Sequence, residues 1–198
     1  MRNKRTSLKE DIIENSIKLF LRKGYNATRV EDITNATNVS KAAFYCHFNS
    51  KDELLETIVD RFGTLFVDRV IEEVRNAEGD FLRKLKYEHK WASNFAFSNK
   101  ELCIGFVTIA GELAGSGTPT ESRIKAISAR YRNFLKELLE QGRREGAIKD
   151  DLDIDLAAHV INGIHDGMLI EWYDNLDQVD GAKLALAYRD IALRGILK

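Results

Sequence analysis

Proline is almost missing from this chain. Pro119 is the only one in 198 residues, and runs of alternating β-branched residues are equally scarce. Both absences leave an all-α chain as the reading of the apolar pattern. Cysteine is also scarce. Cys46 and Cys103 lie far apart, which excludes a disulfide framework and fits a reducing cytoplasm. No apolar run approaches the ~18–20 residues of a membrane span. Met1-Arg2-Asn3-Lys4-Arg5 is basic but lacks the apolar stretch that a signal peptide places next. The one Gly-rich stretch, Gly111–Gly117, has no Lys-Ser/Thr ending for cradling phosphate and reads as a connector. Ser/His/Asp spacings, CxxC pairs and nucleotide fingerprints are missing too. The Asp150-Asp151-Asp153-Asp155 cluster reads as a solvated loop and cap, so neither an enzyme, a cofactor nor a resident metal is expected.

What is present is unevenly distributed. Residues 1–51 carry ten Lys/Arg against five Asp/Glu, net +5, and residues 52–198 carry twenty against twenty-six, net −6. A basic end on an acidic body suits an anionic polymer bound at one end only. With 44% hydrophobic residues, the chain is long enough for a ligand-binding core plus a small headpiece.

Helix signals are frequent. Ser7 and Glu10 form a capping box before Leu8, Ile12, Ile13, Ile17, Phe20 and Leu21, and Gly24 ends that helix. Thr28, with Glu31 three residues on, is expected to cap a second helix over about Val30–Thr37, with Val30, Ile33 and Ala36 facing inward. Asn38 stands where the chain must reverse with φ > 0, which Asn tolerates better than most residues. Ser40 caps a third helix, Lys41–His47, which buries Phe44 and Phe48 and presents Lys41, Ala42, Tyr45 and Cys46. This is a helix-turn-helix, whose second helix is built to enter a major groove.

Ser50 caps a fourth helix from Lys51 to about Arg75, read as one rigid rod with a stripe of Leu54, Leu55, Ile58, Phe62, Leu65, Phe66, Arg69 and Val70. Gly79-Asp80 breaks it. A fifth helix covers about Phe81–Ala96, with Leu82, Leu85, Trp91 and Phe95 as its apolar residues. Ser98 and Glu101 open a sixth. Thr118-Pro119-Thr120-Glu121 starts a seventh that runs to about Arg144, stopped by Gly146. Two more follow, over about Asp153–Tyr173 and Asp180–Leu197.

The segment V-S-K-A-A-F-Y-C-H-F-N-S-K-D-E-L-L resembles the N-terminal DNA-binding region of the TetR family of bacterial transcriptional regulators. Ile33, Val39, Ser40, Tyr45, Phe48, Ser50, Lys51 and Leu54 match its pattern, and His47 falls at its His/Tyr position. Thr34 and Thr37 replace alanine, Asn38 replaces glycine, and Ala42-Ala43 replaces Gly-Thr. The resemblance covers about residues 9–58. It implies a three-helix DNA-binding headpiece (1–50) on a larger helical ligand-binding and dimerisation domain (51–198), about nine helices in all.

By that resemblance, Thr28, Tyr45, His47 and Lys51 grip backbone phosphates, while Lys41 faces the bases. Arg29 and Ser40 belong to the same surface, and Ala42 and Ala43 are small enough to meet a thymine methyl. Plain packing remains open for Tyr45, and a solvated charge for Lys41. Arg2, Lys4 and Arg5 form a basic arm, suited to a minor groove or merely a tail.

In the body, Phe62, Phe66, Tyr87, Trp91, Phe95, Phe106, Tyr131 and Phe134 are candidates to line a ligand site or to be plain core. His165 and Asp166 are the polar candidates for orienting a mostly apolar small molecule. Asp155, His159, Asn162 and Asp166 share one helix stripe, a weak metal-sensing alternative, and Cys46 a weak redox one. The resemblance implies a homodimer on a near-palindromic double-stranded DNA operator. The last two helices would form the interface, with Gly163, Gly167, Val160, Trp172, Ala185 and Ala192 at it. The expected function is a repressor released by ligand through a hinge of the fourth helix. An activator, or an adaptor that uses the fold for protein contacts, is the alternative.

Overall fold

The computed structural model describes residues 7–198. Among them the order is α1 Leu8–Lys23, α2 Val30–Thr37, α3 Lys41–Tyr45, α4 Lys51–Phe62, a π-helical segment Gly63–Asp68 and α5 Arg69–Asn76. Then come α6 Phe81–Ser98, α7 Lys100–Leu113, α8 Pro119–Arg144, α9 Ile154–Asp174 and α10 Gly181–Ile196. The only β feature among the described residues is one bridge, Ile148 to Leu197. The basic arm Arg2, Lys4 and Arg5 lies outside the described residues. No helix is long and apolar enough to cross a membrane among those described.

Two compact units emerge: residues 1–62 with 101–124, and residues 63–100 with 125–198. In the first, α1 buries Ile12, Ile13, Ile17, Leu19 and Phe20, while Leu8 is partly exposed. Ser7 Oγ accepts the Glu10 N–H, and Gly24 closes the helix with φ +83° and an N–H to the Phe20 carbonyl. Helix α2 has its expected ends, but its buried face differs. Ile33 and Thr34 are buried and Ala36 is exposed. The threonines make this possible. Thr34 Oγ1 donates to the Glu31 carbonyl and Thr37 Oγ1 to the Ile33 carbonyl, so each hydroxyl is satisfied without water. Asn38 sits at φ 54°, ψ 45°, the sole non-glycine with positive φ among the described residues. That left-handed step turns α2 into α3.

The fourth helix is not one uniform rod. Its buried residues after Leu54 and Leu55 are Ile58, Val59, Phe62, Gly63, Val67, Val70 and Val74. The interval from Phe62 to Val67 is five residues, one wide π-turn, where the uniform stripe required Leu65, Phe66 and Arg69. Leu65 is exposed as a result. Gly63 lies at the start of the wide turn, where a Cβ would stand 3.1 Å from Ile127 Cδ1 and 3.2 Å from the Arg130 guanidinium. The missing side chain lets α8 approach.

In the second unit Asp80 caps α6, and that helix runs on through Ser98, so Ser98 is its last residue and not the start of α7. Thr118 Oγ1 caps α8 as its Thr-Pro-Thr-Glu start requires. Glu121 then reaches back to the N–H groups of Gly115 and Gly117, at 2.8 and 2.7 Å. That carboxylate orders the Gly-rich connector.

Asn38→Val should lower the unfolding free energy by about 1–2 kcal/mol, the cost of a branched side chain in the left-handed region. Asn38→Gly should leave it within about 0.5 kcal/mol of wild type. Urea denaturation of both variants measures the difference.

Candidate nucleic-acid interface and buried polar cluster

Helix α3 spans only Lys41–Tyr45, two residues fewer than expected, and continues as a turn through Cys46 and His47. Ser40 Oγ accepts the Ala43 N–H at 3.1 Å. Phe44 and Phe48 are fully buried with ring centroids 5.7 Å apart, and they seat the helix on α1 and α2. This anchoring presents Lys41, Ala42, Tyr45 and Cys46 outward. Tyr45 is 51% exposed. Ala43 and His47 are partly exposed, and Arg29 and Ser40 lie exposed at the starts of α2 and α3. Lys41 pairs with Glu31 of α2, which raises the lysine's pKa and lowers the glutamate's. The pair holds the ammonium on the exposed α2–α3 face.

Two expected phosphate ligands have partners within the chain. Thr28 is 1% exposed, and its hydroxyl donates to the Gly24 carbonyl at 2.7 Å. The α2 terminus is held instead by Asp32, whose carboxylate accepts the Arg29 N–H at 2.7 Å. Lys51 points inward as well. Its ammonium donates to the carbonyls of Tyr25 and Thr28, both at 2.8 Å, and lies 4.1 Å from the Tyr25 ring centroid. Desolvation lowers its pKa. The Tyr25 carbonyl also accepts the Thr28 N–H at 3.1 Å, so Lys51 is its second donor and the Thr28 carbonyl's first.

The same loop is gripped from α7. The Glu112 carboxylate accepts the N–H groups of Tyr25 and Asn26, both at 2.8 Å. The Tyr25 hydroxyl donates to Asp52. Side chains of α4 and α7 thus satisfy the backbone groups that the α1–α2 corner leaves open.

In the second unit a buried polar cluster lies against an aromatic one. Phe66 has ring centroids 6.0, 5.4 and 5.5 Å from Trp91, Phe95 and Tyr131. Tyr131 donates to Glu88 at 2.5 Å, and its oxygen is 3.1 Å from His165 Nδ1. His89 Nε2 donates to the Ala185 carbonyl at 2.7 Å, and Tyr188 packs edge-on to His165. Burial pushes Glu88 up to about 7 and pulls His165 down to about 3. Asp166, also desolvated, rises to about 6 while accepting from Asn162 at 3.2 Å.

The chain matches the pattern of bacterial regulatory proteins of the tetR family over residues 12–58. It matches that of a tetracyclin repressor-like C-terminal domain over residues 104–196. The solved structure of the regulator PfmR from Thermus thermophilus, itself a TetR family transcriptional regulator, is 30% identical. That likeness covers 92% of this chain and 97% of PfmR, with a TM-score of 0.77. This chain belongs to the TetR family. MbdR of Azoarcus sp. CIB is 26% identical over 97% of this chain and all of its own, with a TM-score of 0.88. The ketosteroid regulator KstR2 of Mycobacterium tuberculosis is 25% identical over the whole chain and 97% of its own, with a TM-score of 0.82. Membership makes the protein a DNA-binding transcriptional regulator, and α2–α3 its helix-turn-helix.

As a TetR regulator, the chain distributes its expected ligand-site residues in two groups. Phe62 stacks face to face on Phe106 at 4.0 Å in the first unit. Phe66, Trp91, Phe95, Tyr131, Phe134 and His165 belong to the second, with Phe134 6.3 Å from Tyr131. Glu88 and His89 were missed. Their signal is positional: they fall seven and eight residues after Phe81, on the buried stripe of α6. Of the metal-sensing stripe, the Asp155 carboxylate is engaged by Lys136 at 2.6 Å.

Lys41 and Lys51 should separate cleanly by experiment. Lys41→Ala should lower the salt slope of DNA binding by about 1. Lys51→Met should leave that slope unchanged while removing about 1–3 kcal/mol of stability, since the Thr28 carbonyl loses its donor and the Tyr25 carbonyl one of its two. Fluorescence titrations across salt, paired with urea melts, distinguish the two roles.

Glu88 supplies a pH test. Its folded pKa of about 7 exceeds the ordinary 4.5, so its stabilising contribution is full below 4.5 and disappears as pH rises through about 7. Glu88→Gln should therefore lose stability relative to wild type as pH falls from 7 to 4.5, by at most about 1.4 kcal/mol per pH unit. Denaturation at pH 5 and 7.5 reads this. His165, displaced in the opposite sense, contributes alike to both proteins and cancels.

Proposed function

We propose that the protein is a homodimeric repressor that leaves a near-palindromic operator when a small, mostly apolar molecule binds its second unit. The observation that carries the dimer is an apolar face without partner in the chain. Leu156, Val160, Ile164, Ile170, Leu186 and Ile191 are exposed along α9 and α10, Val160 by 57% and Ile191 by 71%. Nothing lies within 4 Å of where a Cβ would stand at Gly163 or Gly167, so a second helix has room to approach there. A monomer rarely leaves such a stripe in water. Ala192 is half-buried beside that face. Two of the expected interface residues are occupied at home. Trp172 packs edge-on against Phe97, and the Ala185 carbonyl receives His89.

Two-fold symmetry places the paired α3 helices on successive major grooves about 34–36 Å apart, which is why the operator reads alike from both ends. Each half-site alone binds weakly, and linkage supplies the affinity. The aromatic wall around Phe66 and the polar groups of His165 and Glu88 support a ligand with an apolar body. The relative KstR2, a ketosteroid regulator by name, supports the same class.

Release then needs a change in the separation of the two α3 helices. The π-helical segment Gly63–Asp68 supports a hinge there, since the chain leaves one compact unit for the other between Phe62 and Gly63. Shifting from mostly bound to mostly free requires about 5.5 kcal/mol of differential ligand affinity between the two states.

Val160→Asp combined with Ile191→Asp should halve the sedimentation mass to that of one 22.5 kDa chain, with helical circular dichroism intact. Operator affinity should fall by about a hundredfold or more. A double variant that still sediments as a dimer, or a monomer that still binds the operator as tightly, would overturn the arrangement.

A further inference from the structure

Helix α6 carries a carboxylate that DNA binding does not use. Glu88 is 1% exposed, and the Tyr131 hydroxyl is its one hydrogen-bond donor among the described residues. That hydroxyl meets Oε1. No lysine or arginine pairs with either oxygen among those described, and Oε2, which receives no hydrogen bond, is not fully enclosed, since no fully buried side-chain oxygen there lacks a partner. A lone buried carboxylate costs several kcal/mol unless a proton or a counter-charge neutralises it. The surrounding side chains supply no positive charge. His165 and His89 are both held neutral by burial. The guanidinium of Arg132 acts on Asp166, not on Glu88. Beside the carboxyl stands the wall of Phe66, Trp91, Phe95 and Tyr131, with the Trp91 and Phe95 planes only 9° apart.

We infer that the second unit holds a site for a lipophilic organic cation, its nitrogen set against the Glu88 carboxylate and its apolar body against Phe66, Trp91 and Phe95. The inference rests on the ligand-responsive reading above and names the chemistry of the molecule. An anionic head group would meet a carboxylate here with no cation to receive it. A neutral hydroxyl satisfies a hydrogen bond but brings no counter-charge, so Glu88 must keep its proton. A protonated or quaternary amine compensates the charge, and ring faces attract it further. No covalent bond changes. The one chemical event is loss of the Glu88 proton to solvent as the cation enters, and near neutral pH that is a fraction of a proton per site.

Three matched probes test this on the full chain by calorimetry: 4-phenylbutyltrimethylammonium, 4-phenylbutanol and 4-phenylbutanoate. The ammonium should bind at least about tenfold more tightly than the alcohol, and the carboxylate most weakly. Glu88→Gln, which keeps the hydrogen bond from Tyr131, should bring the ammonium within about twofold of the alcohol, as expected once the charge term is gone. Trp91→Leu should weaken the ammonium more than the alcohol. Comparing buffers of different ionisation heat at pH 7 should reveal proton release with the ammonium in wild type and none in Glu88→Gln. Equal or tighter binding of the alcohol or carboxylate, a preference that survives Glu88→Gln, or no binding of the ammonium would overturn the assignment. Operator release by the alcohol or carboxylate but not the ammonium would overturn it while sparing ligand-controlled release. Tight ammonium binding that leaves the operator complex intact would keep the site and remove the release mechanism instead.

Discussion

Two peptide N–H groups and two carbonyls at the α1–α2 corner have no helical partner, and all the geometry of the DNA-binding face depends on who satisfies them. Glu112 of α7 takes both N–H groups, and Lys51 at the start of α4 takes both carbonyls. An orphaned buried amide or carbonyl costs a kcal/mol or more, roughly 1–3. The Tyr25 carbonyl also accepts the Thr28 N–H, and Asn26 is exposed. The groups that depend on these side chains are therefore the Tyr25 N–H and the Thr28 carbonyl, and they tie the corner before α2 to α7 and α4. The eight-residue α2 and the five-residue α3 are too short to be stable alone. Their position comes from this corner and from the buried pair Phe44 and Phe48.

The local part of this architecture was readable from sequence. Asn38 at a helix reversal, Ser40 and Ser50 as caps, and Thr118-Pro119-Thr120-Glu121 as a start signal each act within four residues, where chain chemistry is self-contained. What was not readable is which of several possible partners a polar side chain takes. Lys51 looks like any solvated lysine until the carbonyls of Tyr25 and Thr28, more than twenty residues earlier, are placed beside it. Thr28 looks like a cap, but its hydroxyl finds Gly24 one turn back, and Asp32 takes the terminus. Helix α2 shows a related limit. Ala36 fits an inward stripe by periodicity, yet Thr34, whose hydroxyl bonds to its own backbone, is buried in preference.

Charge is organised differently in the two units. The first displays its polar groups at a surface that a phosphate backbone can reach, with Lys41 parked on Glu31. The second buries a carboxyl, two phenols and two imidazoles beside stacked rings, and burial has suppressed ionisation throughout. One unit is arranged to meet a polyanion through many exposed, exchangeable contacts. The other keeps a few desolvated polar groups beside aromatic rings, where a single added charge would be felt strongly because little water remains to screen it.

The wide turn at Gly63–Asp68 acts like a phase error in a screw thread. An ordinary helix advances about 100° and 1.5 Å per residue, and here one wide turn absorbs the extra residue, so Val67, Val70 and Val74 stay buried although their spacing no longer counts in step with Leu54, Ile58 and Phe62. Were the extra residue to migrate by a turn along the thread, the residues it passed would turn from one face of the helix to another, a change that needs no loose chain.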